Sequence, residues 1–153
     1  MVDEDVLQRV DLALVRMRRL MESSDVRRRF YARLGAPVDP STIHVLRAIL
    51  STGDDAASVG DVAAHLMVDA STASRLVEQA VKAGYVARMA CDTDRRRSQL
   101  RITAAGDDLL HRAAAVRAAM VDEWVSDWPE QDLTALAGLL ERFVDSIIES
   151  ERA

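Results

Sequence analysis

Ten residues from Asp94 to Thr103, DRRRSQLRIT, constrain the fold most, because they place a cationic tip beside a strand that alternates Leu100 and Ile102 with Gln99 and Arg101. Tyr85 to Ala90 reads as the partner strand, and Cys91 to Arg97 as the polar loop between them. Just upstream, Val59, Val62, Ala63 and Leu66 fit a short helix starting at Ser58, followed by a turn at Met67 and Val68. Asp69 can cap a second helix from Ala70 to Ala83, which Gly84 ends. Small side chains are needed where two such helices cross, and Ala63 and Ala73 supply them. Helix, turn, helix and β-ribbon in this order read as a winged helix-turn-helix.

The flanks are helical. Val6, Val10, Leu14, Met17 and Met21 recur at helical spacing behind Asp3 to Asp5, predicting a long amphipathic first helix. Ser23, Ser24 and Asp25 interrupt it, Val26 to Leu34 resumes as a short helical turn, and Gly35, Pro37 and Pro40 break the chain. A further helix starts after Pro40 and Ser41, directs Ile43, Leu46, Ile49 and Leu50 inward, and stops before Thr52 to Asp55. Beyond the ribbon, Leu109, Ala113, Val116, Met120 and Trp124 mark one helix. Pro129, Glu130 and Asp132 begin the last, whose stripe is Leu133, Leu136, Leu140, Phe143, Ile147 and Ile148. The expected fold is therefore mainly α with a small β-ribbon. Residues 40–103 form the winged helix-turn-helix, and residues 1–34 and 104–153 form a helical dimerisation region. Terminal helices with such wide apolar stripes cannot all bury themselves on one winged helix, so a second protomer is expected.

A net charge of −5 argues, taken whole, against a nucleic-acid partner. The distribution reverses that reading. Between Ser58 and Thr103 seven basic residues oppose five acids, whereas from Ala104 onward four arginines oppose eleven acids. The centre can approach a phosphate backbone that the tail repels. Cys91 is the single cysteine, which excludes an intrachain disulfide and a cysteine-based structural zinc site. No apolar run reaches the roughly 18 residues of a membrane span, and the acidic start is unlike a secretion signal, so a cytoplasmic protein without a membrane partner is expected.

The second helix of the motif should present Ser71, Thr72, Ser74 and Arg75 near its N-terminal end, the part that enters a major groove. Hydroxyls and one Arg can hold phosphates or read base edges; Ser71 and Thr72 can equally serve only to cap the helix. Arg95, Arg96 and Arg97 cluster at the ribbon tip with Asp92 and Asp94. An Arg there can enter a narrow minor groove, with a carboxylate orienting the loop by pairing with Arg88; the alternative is a solvated charged hairpin.

These residues carry a resemblance. Ser71-Thr72-Ala73-Ser74-Arg75-Leu76-Val77, then Gly84-Tyr85-Val86-Ala87-Arg88, then Asp94-Arg95-Arg96, Leu100, Ile102, Thr103 and Gly106 resemble, in order and spacing, the recognition helix and wing of the MarR family of bacterial transcriptional regulators. The resemblance spans the chain from about Val6 to Ile148. It implies a homodimer that places two winged helices on a palindromic operator in double-stranded DNA, with the first helix and the last two as interface. It also implies that Arg95 is the minor-groove arginine, that Asp94 and Arg88 support the wing, and that Ser71, Thr72, Ser74 and Arg75 face the major groove. Two positions depart from the family pattern: Met67 stands where many members have Gly, and Ala80 where they usually have Leu, which suggests compensation by a neighbour such as Val81.

Family members often bind small anionic or aromatic effectors between the dimer helices and the winged helix, and Arg16, Met17, His44 and Arg47 are candidates to line such a cleft, although a Met at such a position is more often plain core. Some relatives sense zinc, which makes His44, Asp107, Asp108 and His111 candidate ligands, although three scattered histidines do not make a ligand set. His65 should face solvent. Others sense peroxide through a cysteine near the first helix, whereas Cys91 adjoins the wing, where Asp92 disfavours its thiolate and the wing arginines act oppositely; the plainer reading is a bystander thiol. No cofactor is expected. The leading function is a DNA-binding repressor released by a small effector; the alternative is a winged helix used as a protein-interaction module, which would expose apolar or aromatic groups at the wing rather than arginines. An enzyme is not expected, for there is no phosphate-cradling Gly motif, no Ser/His/Asp set and no His-Glu-x-x-His.

Overall fold

The computed structural model of the chain describes residues 3–53, 57–90 and 98–152. Helix α1 (Glu4–Met21) starts at Asp3, whose carboxylate accepts from the Asp5 N–H at 3.1 Å, and none of its residues is buried. Helix α2 (Ser24–Leu34) is a full helix of 11 residues rather than a short turn. Ser23 is the reason: its hydroxyl accepts from the Val26 N–H at 3.3 Å, so the polar triplet that ends α1 also starts the next helix. Gly35, at φ 65°, closes α2 by donating its N–H to the Tyr31 carbonyl.

Helix α3 (Pro40–Leu50) is the central element of the core. Asp39 caps it through the Ser41 N–H at 2.8 Å, and Pro40 occupies its first turn, where a missing N–H costs nothing. It buries Thr42, Ile43, Val45, Leu46, Ala48 and Ile49. Leu50, expected to point inward, is instead 61% exposed. It lies on the apolar side of the helix but is its last residue, where the packed layer has run out.

Helix α4 (Val59–Leu66) begins with a reciprocal capping box between Ser58 and Asp61. Helix α5 (Ala70–Lys82) follows after Met67 and Val68, and Gly84 at φ 81° ends it with N–H donation to Val81 while the Tyr85 N–H bonds Ala80. Strands β1 (Val86–Ala90) and β2 (Ser98–Ile102) pair antiparallel, with Val86 opposite Ile102 and Arg88 opposite Leu100. Ala57 adds an antiparallel bridge on the other side of Leu100, whose N–H donates to the Ala57 carbonyl at 2.7 Å. Leu46, Leu100, Leu109, Val45, Val62 and Val77 are the largest fully buried side chains. Each contributes about 1.5–3 kcal/mol of transfer free energy, and the ribbon is fixed to the helices through Leu100 on β2 and the likewise buried Val86 on β1.

Helices α6 (Ala104–Trp124) and α7 (Glu130–Arg152) complete the chain. Two compact units result, residues 1–116 and residues 117–153. The second unit exposes Leu139, Leu140, Phe143, Val144, Ile147 and Ile148 along α7. Among the described residues no helix is long and apolar enough to cross a membrane.

Candidate nucleic-acid interface

Three small or branched residues seat the second helix of the motif. Ala73, Val77 and Ala80 are fully buried on one side of α5, and Ala63 meets that side from α4 at 8% exposure, as the requirement for small crossing residues predicts. Ala80 fills its place without a large side chain, and Val81 packs partly buried against the same core. The other side of α5 is therefore free to carry polar groups: Ser71, Arg75, Glu78, Gln79 and Lys82 are exposed, while Thr72 and Ser74 are half-buried.

The first turn of α5 is organised by Asp69. Its Oδ1 accepts from the Thr72 N–H at 2.9 Å and from the Ser71 hydroxyl, and its Oδ2 accepts from the Thr72 hydroxyl at 2.6 Å. These donations, the Ser71 hydroxyl first and then the Thr72 hydroxyl, hold the carboxyl far below the usual carboxylate range. Ser71 and Thr72 are thus engaged in capping, and the protons they would offer to a phosphate are already given. Met67 joins α4 to α5 in the left-handed region at φ 53°, a conformation that explains why Gly suits this turn, and its side chain is 91% exposed.

The ribbon rises from this motif. Arg88 is exposed on β1 opposite the buried Leu100, and Ile102 is half-buried, so Leu100 and Ile102 anchor β2 as the alternation predicts. Asp94, Arg95, Arg96 and Arg97, as well as Cys91 and Asp92, lie outside the described residues.

Sequence reasoning gave no physical role to the junction at the ribbon base. The Thr103 hydroxyl donates to the Gly84 carbonyl at 2.7 Å and accepts from the Gly106 N–H at 3.1 Å, tying the end of α5 to the start of α6. Gly106 is buried so tightly that a Cβ there would fall inside contact of the Tyr85 carbonyl oxygen, 2.8 Å from Ile102 Cγ2 and 3.2 Å from Leu46 Cδ2. The signal was the Thr-x-x-Gly spacing itself, which fits a hydroxyl cap followed one turn later by a residue without a side chain.

The proposed effector residues divide. Arg16 and Met17 are exposed on α1, Met17 at 47%, so Met17 is not a core residue of the single chain. His44, like them exposed, and half-buried Arg47 lie one turn apart on α3, and partial desolvation followed by the Arg47 charge pushes the His44 imidazole below its usual value. Tyr31 of α2 joins them: burial and then Asp39 raise its phenol, against Arg27 and Arg47. Its ring meets Phe30 edge to face at 5.1 Å. Of the zinc candidates, His111 Nδ1 lies 3.4 Å from Asp107 Oδ2, but Asp108 Oδ2 faces Arg112 Nε at 2.9 Å. Among the described residues no three His, Cys, Asp or Glu side chains converge on one point, so His44 does not join Asp107 and His111. His65 is exposed as expected, with its Nδ1 3.0 Å from Ser51 Oγ.

A helix-turn-helix seated on α3 and followed by an antiparallel ribbon defines the winged-helix class. Residues 36–97 match the family model described as MarR family, which covers α3 to the ribbon loop and shows the resemblance read from the motif residues. Among solved structures, a MarR family protein from Bacillus stearothermophilus has the same fold, with a TM-score of 0.78 at 15% identity over 97% of this chain and 99% of that one. S. aureus MepR in complex with DNA gives 0.63 at 19% identity over 84% and 96%, and MepR bound to ethidium bromide gives 0.60 at 17% over 95% and 97%. No curated protein matches the chain.

Proposed function

We propose that the protein is a sequence-specific DNA-binding transcriptional regulator, a homodimeric repressor in the cytoplasm that binds a palindromic operator and is released by a small effector. The observation that carries this reading is α5: one side is fully buried on α3 and α4, and the other presents Ser71, Arg75, Gln79 and Lys82 next to a ribbon whose loop is rich in arginine. A helix of this kind is built to lie in a major groove while the ribbon tip reaches an adjacent minor groove. In that reading Arg95, Arg96 and Arg97 supply phosphate and groove contacts, and Arg88 with Asp94 steadies the wing. The complex of MepR with DNA, a protein of the same fold, supports it.

The exposure of α1 and α7 supports dimerisation through residues 1–34 and 104–153. Helix α1 buries nothing yet carries Val6, Leu7, Val10, Leu12, Val15 and Leu20 at 43–59% exposure, and α7 carries the apolar row given above. Exposed stripes of this extent on long helices are of the kind that a second protomer covers. For the effector, Arg27 and Arg47 act on the Tyr31 phenol and Arg47 acts on the His44 imidazole, a set of groups suited to a small anionic or aromatic molecule; MepR bound to ethidium bromide is a protein of the same fold in complex with an aromatic ligand.

The test is capture of duplex fragments from the source genome by the full-length protein, followed by binding to the recovered fragments across a salt series. Recovery of a two-fold symmetric consensus bound by a dimer supports the proposal. Equal, salt-independent retention of all fragments, or none, overturns it.

A further inference from the structure

The chain holds 20 lysine and arginine residues, and 19 of them are arginine; the one lysine is Lys82. It falls in the last turn of α5 and is exposed. Arg75, Glu78 and Lys82 succeed one another at three- and four-residue spacing, which sets them in one row along the exposed side of the helix, with Lys82 roughly 10 Å beyond Arg75 along the axis. When the first turn of such a helix enters a major groove, its C-terminal end comes to the phosphate backbone, where an ammonium on a four-carbon stem acts as a point charge. Arginine serves a phosphate contact at least as well, and arginine is the cation at every other position of this chain. The two differ in reactivity: an amine that has lost its proton is a nucleophile, whereas a guanidinium keeps its proton.

We propose that Lys82 is an acylation site at which a small acyl donor, an acyl phosphate or an acyl thioester, acts directly and weakens DNA binding. The unprotonated Nζ attacks the acyl carbonyl carbon. The C–N bond forms, the bond to phosphate or thiolate breaks with its electron pair leaving on that group, and the surplus proton of the nitrogen passes to solvent. The product is a neutral amide, with nothing oxidised or reduced. The charge of the face sets the consequence. Arg75 and Lys82 oppose Glu78 and, at the helix start, Asp69, so two exposed cations meet two exposed anions. With Lys82 acylated one cation remains against two anions, and the face turns net negative toward a polyanion. No other side chain of this sequence carries an aliphatic amine, so the change falls on the DNA-facing helix alone. This inference rests on the DNA-binding reading above and concerns its regulation.

The full-length protein is treated with acetyl phosphate in one arm and acetyl coenzyme A in the other, mapped by peptide mass spectrometry, and titrated onto a duplex that the untreated wild type captures. Acetylation of Lys82 in one arm or both identifies the donor. It should weaken binding roughly tenfold and lower the slope of log affinity against log salt by about one unit per protomer. Bound duplex should shield Lys82 from the reagent. Lys82→Arg keeps a cation and offers no acylatable amine, so its affinity should be the same before and after treatment, which separates Lys82 from acetylation elsewhere on the chain. Lys82→Gln, neutral like the amide, should bind as the treated wild type does. A Lys82 that neither donor acetylates, or an acetylated protein that binds as tightly as the untreated one, overturns the inference and leaves the regulator reading intact. A wild type that captures no duplex overturns both.

Discussion

Replacing Gly106 by Ala adds one methyl group at the point where α6, the ribbon and α3 meet, and the structure sets the sign of its effect. In an unobstructed helix the change stabilises by about 0.8–1 kcal/mol, because Ala is the better helix former. At Gly106 the new Cβ meets a backbone oxygen, that of Tyr85, together with Ile102 Cγ2 at 2.8 Å and Leu46 Cδ2 at 3.2 Å. Leu46 is fully buried and cannot rotate away, and the Tyr85 carbonyl is held by the Thr103 N–H at 3.1 Å. Overpacking of a core costs about 1–3 kcal/mol, and a clash with pinned backbone belongs at the upper end. The net loss should be about 2 kcal/mol, or roughly 4–8 °C in Tm for a chain of this size. Gly138, in α7 with nothing within 4 Å of its added Cβ, is the internal control: there the same substitution should stabilise by up to about 1 kcal/mol. Urea unfolding at matched protein concentration measures both. A Gly106→Ala protein as stable as wild type would refute the argument that close backbone approach, rather than helix propensity, governs this position.

Met67→Gly removes a side chain from the left-handed region and should stabilise by several tenths to about 1 kcal/mol in the same assay, strain relief exceeding the added chain entropy. His44 has a folded-state pKa below its ordinary value, so on acidification the unfolded chain takes the proton first: stability is complete above about pH 6.5 and falls as pH drops toward the folded value. His44→Gln should flatten that part of the pH–stability curve, and an unchanged slope would remove His44 as its source. Arg95→Ala should weaken operator binding and lower the slope of log affinity against log salt by about one unit. Arg75→Ala should relax base preference at one position per half-site, seen by randomised-site selection; an unchanged consensus makes Arg75 a phosphate contact only.

Periodicity and punctuation were sufficient for most elements. The alternation at Leu100 and Ile102, the stop at Gly84 and the small residues Ala63 and Ala73 each report a local requirement that the chain meets alone, and each appears where expected. Leu50 shows the limit: its azimuth follows from helical geometry, but whether a neighbour covers it depends on where the packed layer ends. Ser23 shows another, since a residue that interrupts one helix and one that caps the next are the same residue type. At the candidate interface, the residue types on α5 were legible, whereas the use of Ser71 and Thr72 as donors to Asp69 was one of two readings that spacing allowed.

By itself the sequence determined the order of elements, the winged-helix class and the division of charge between centre and tail, because these depend on period, capping and composition within short windows. Only the tertiary structure decided that Gly106 must lack a side chain, that Ala57 pairs with Leu100, and that Tyr31 comes within electrostatic reach of Asp39 and Arg47. Those facts rest on which distant segments come within a few ångströms, and that proximity is fixed by simultaneous packing of the whole core rather than by any local run of residues.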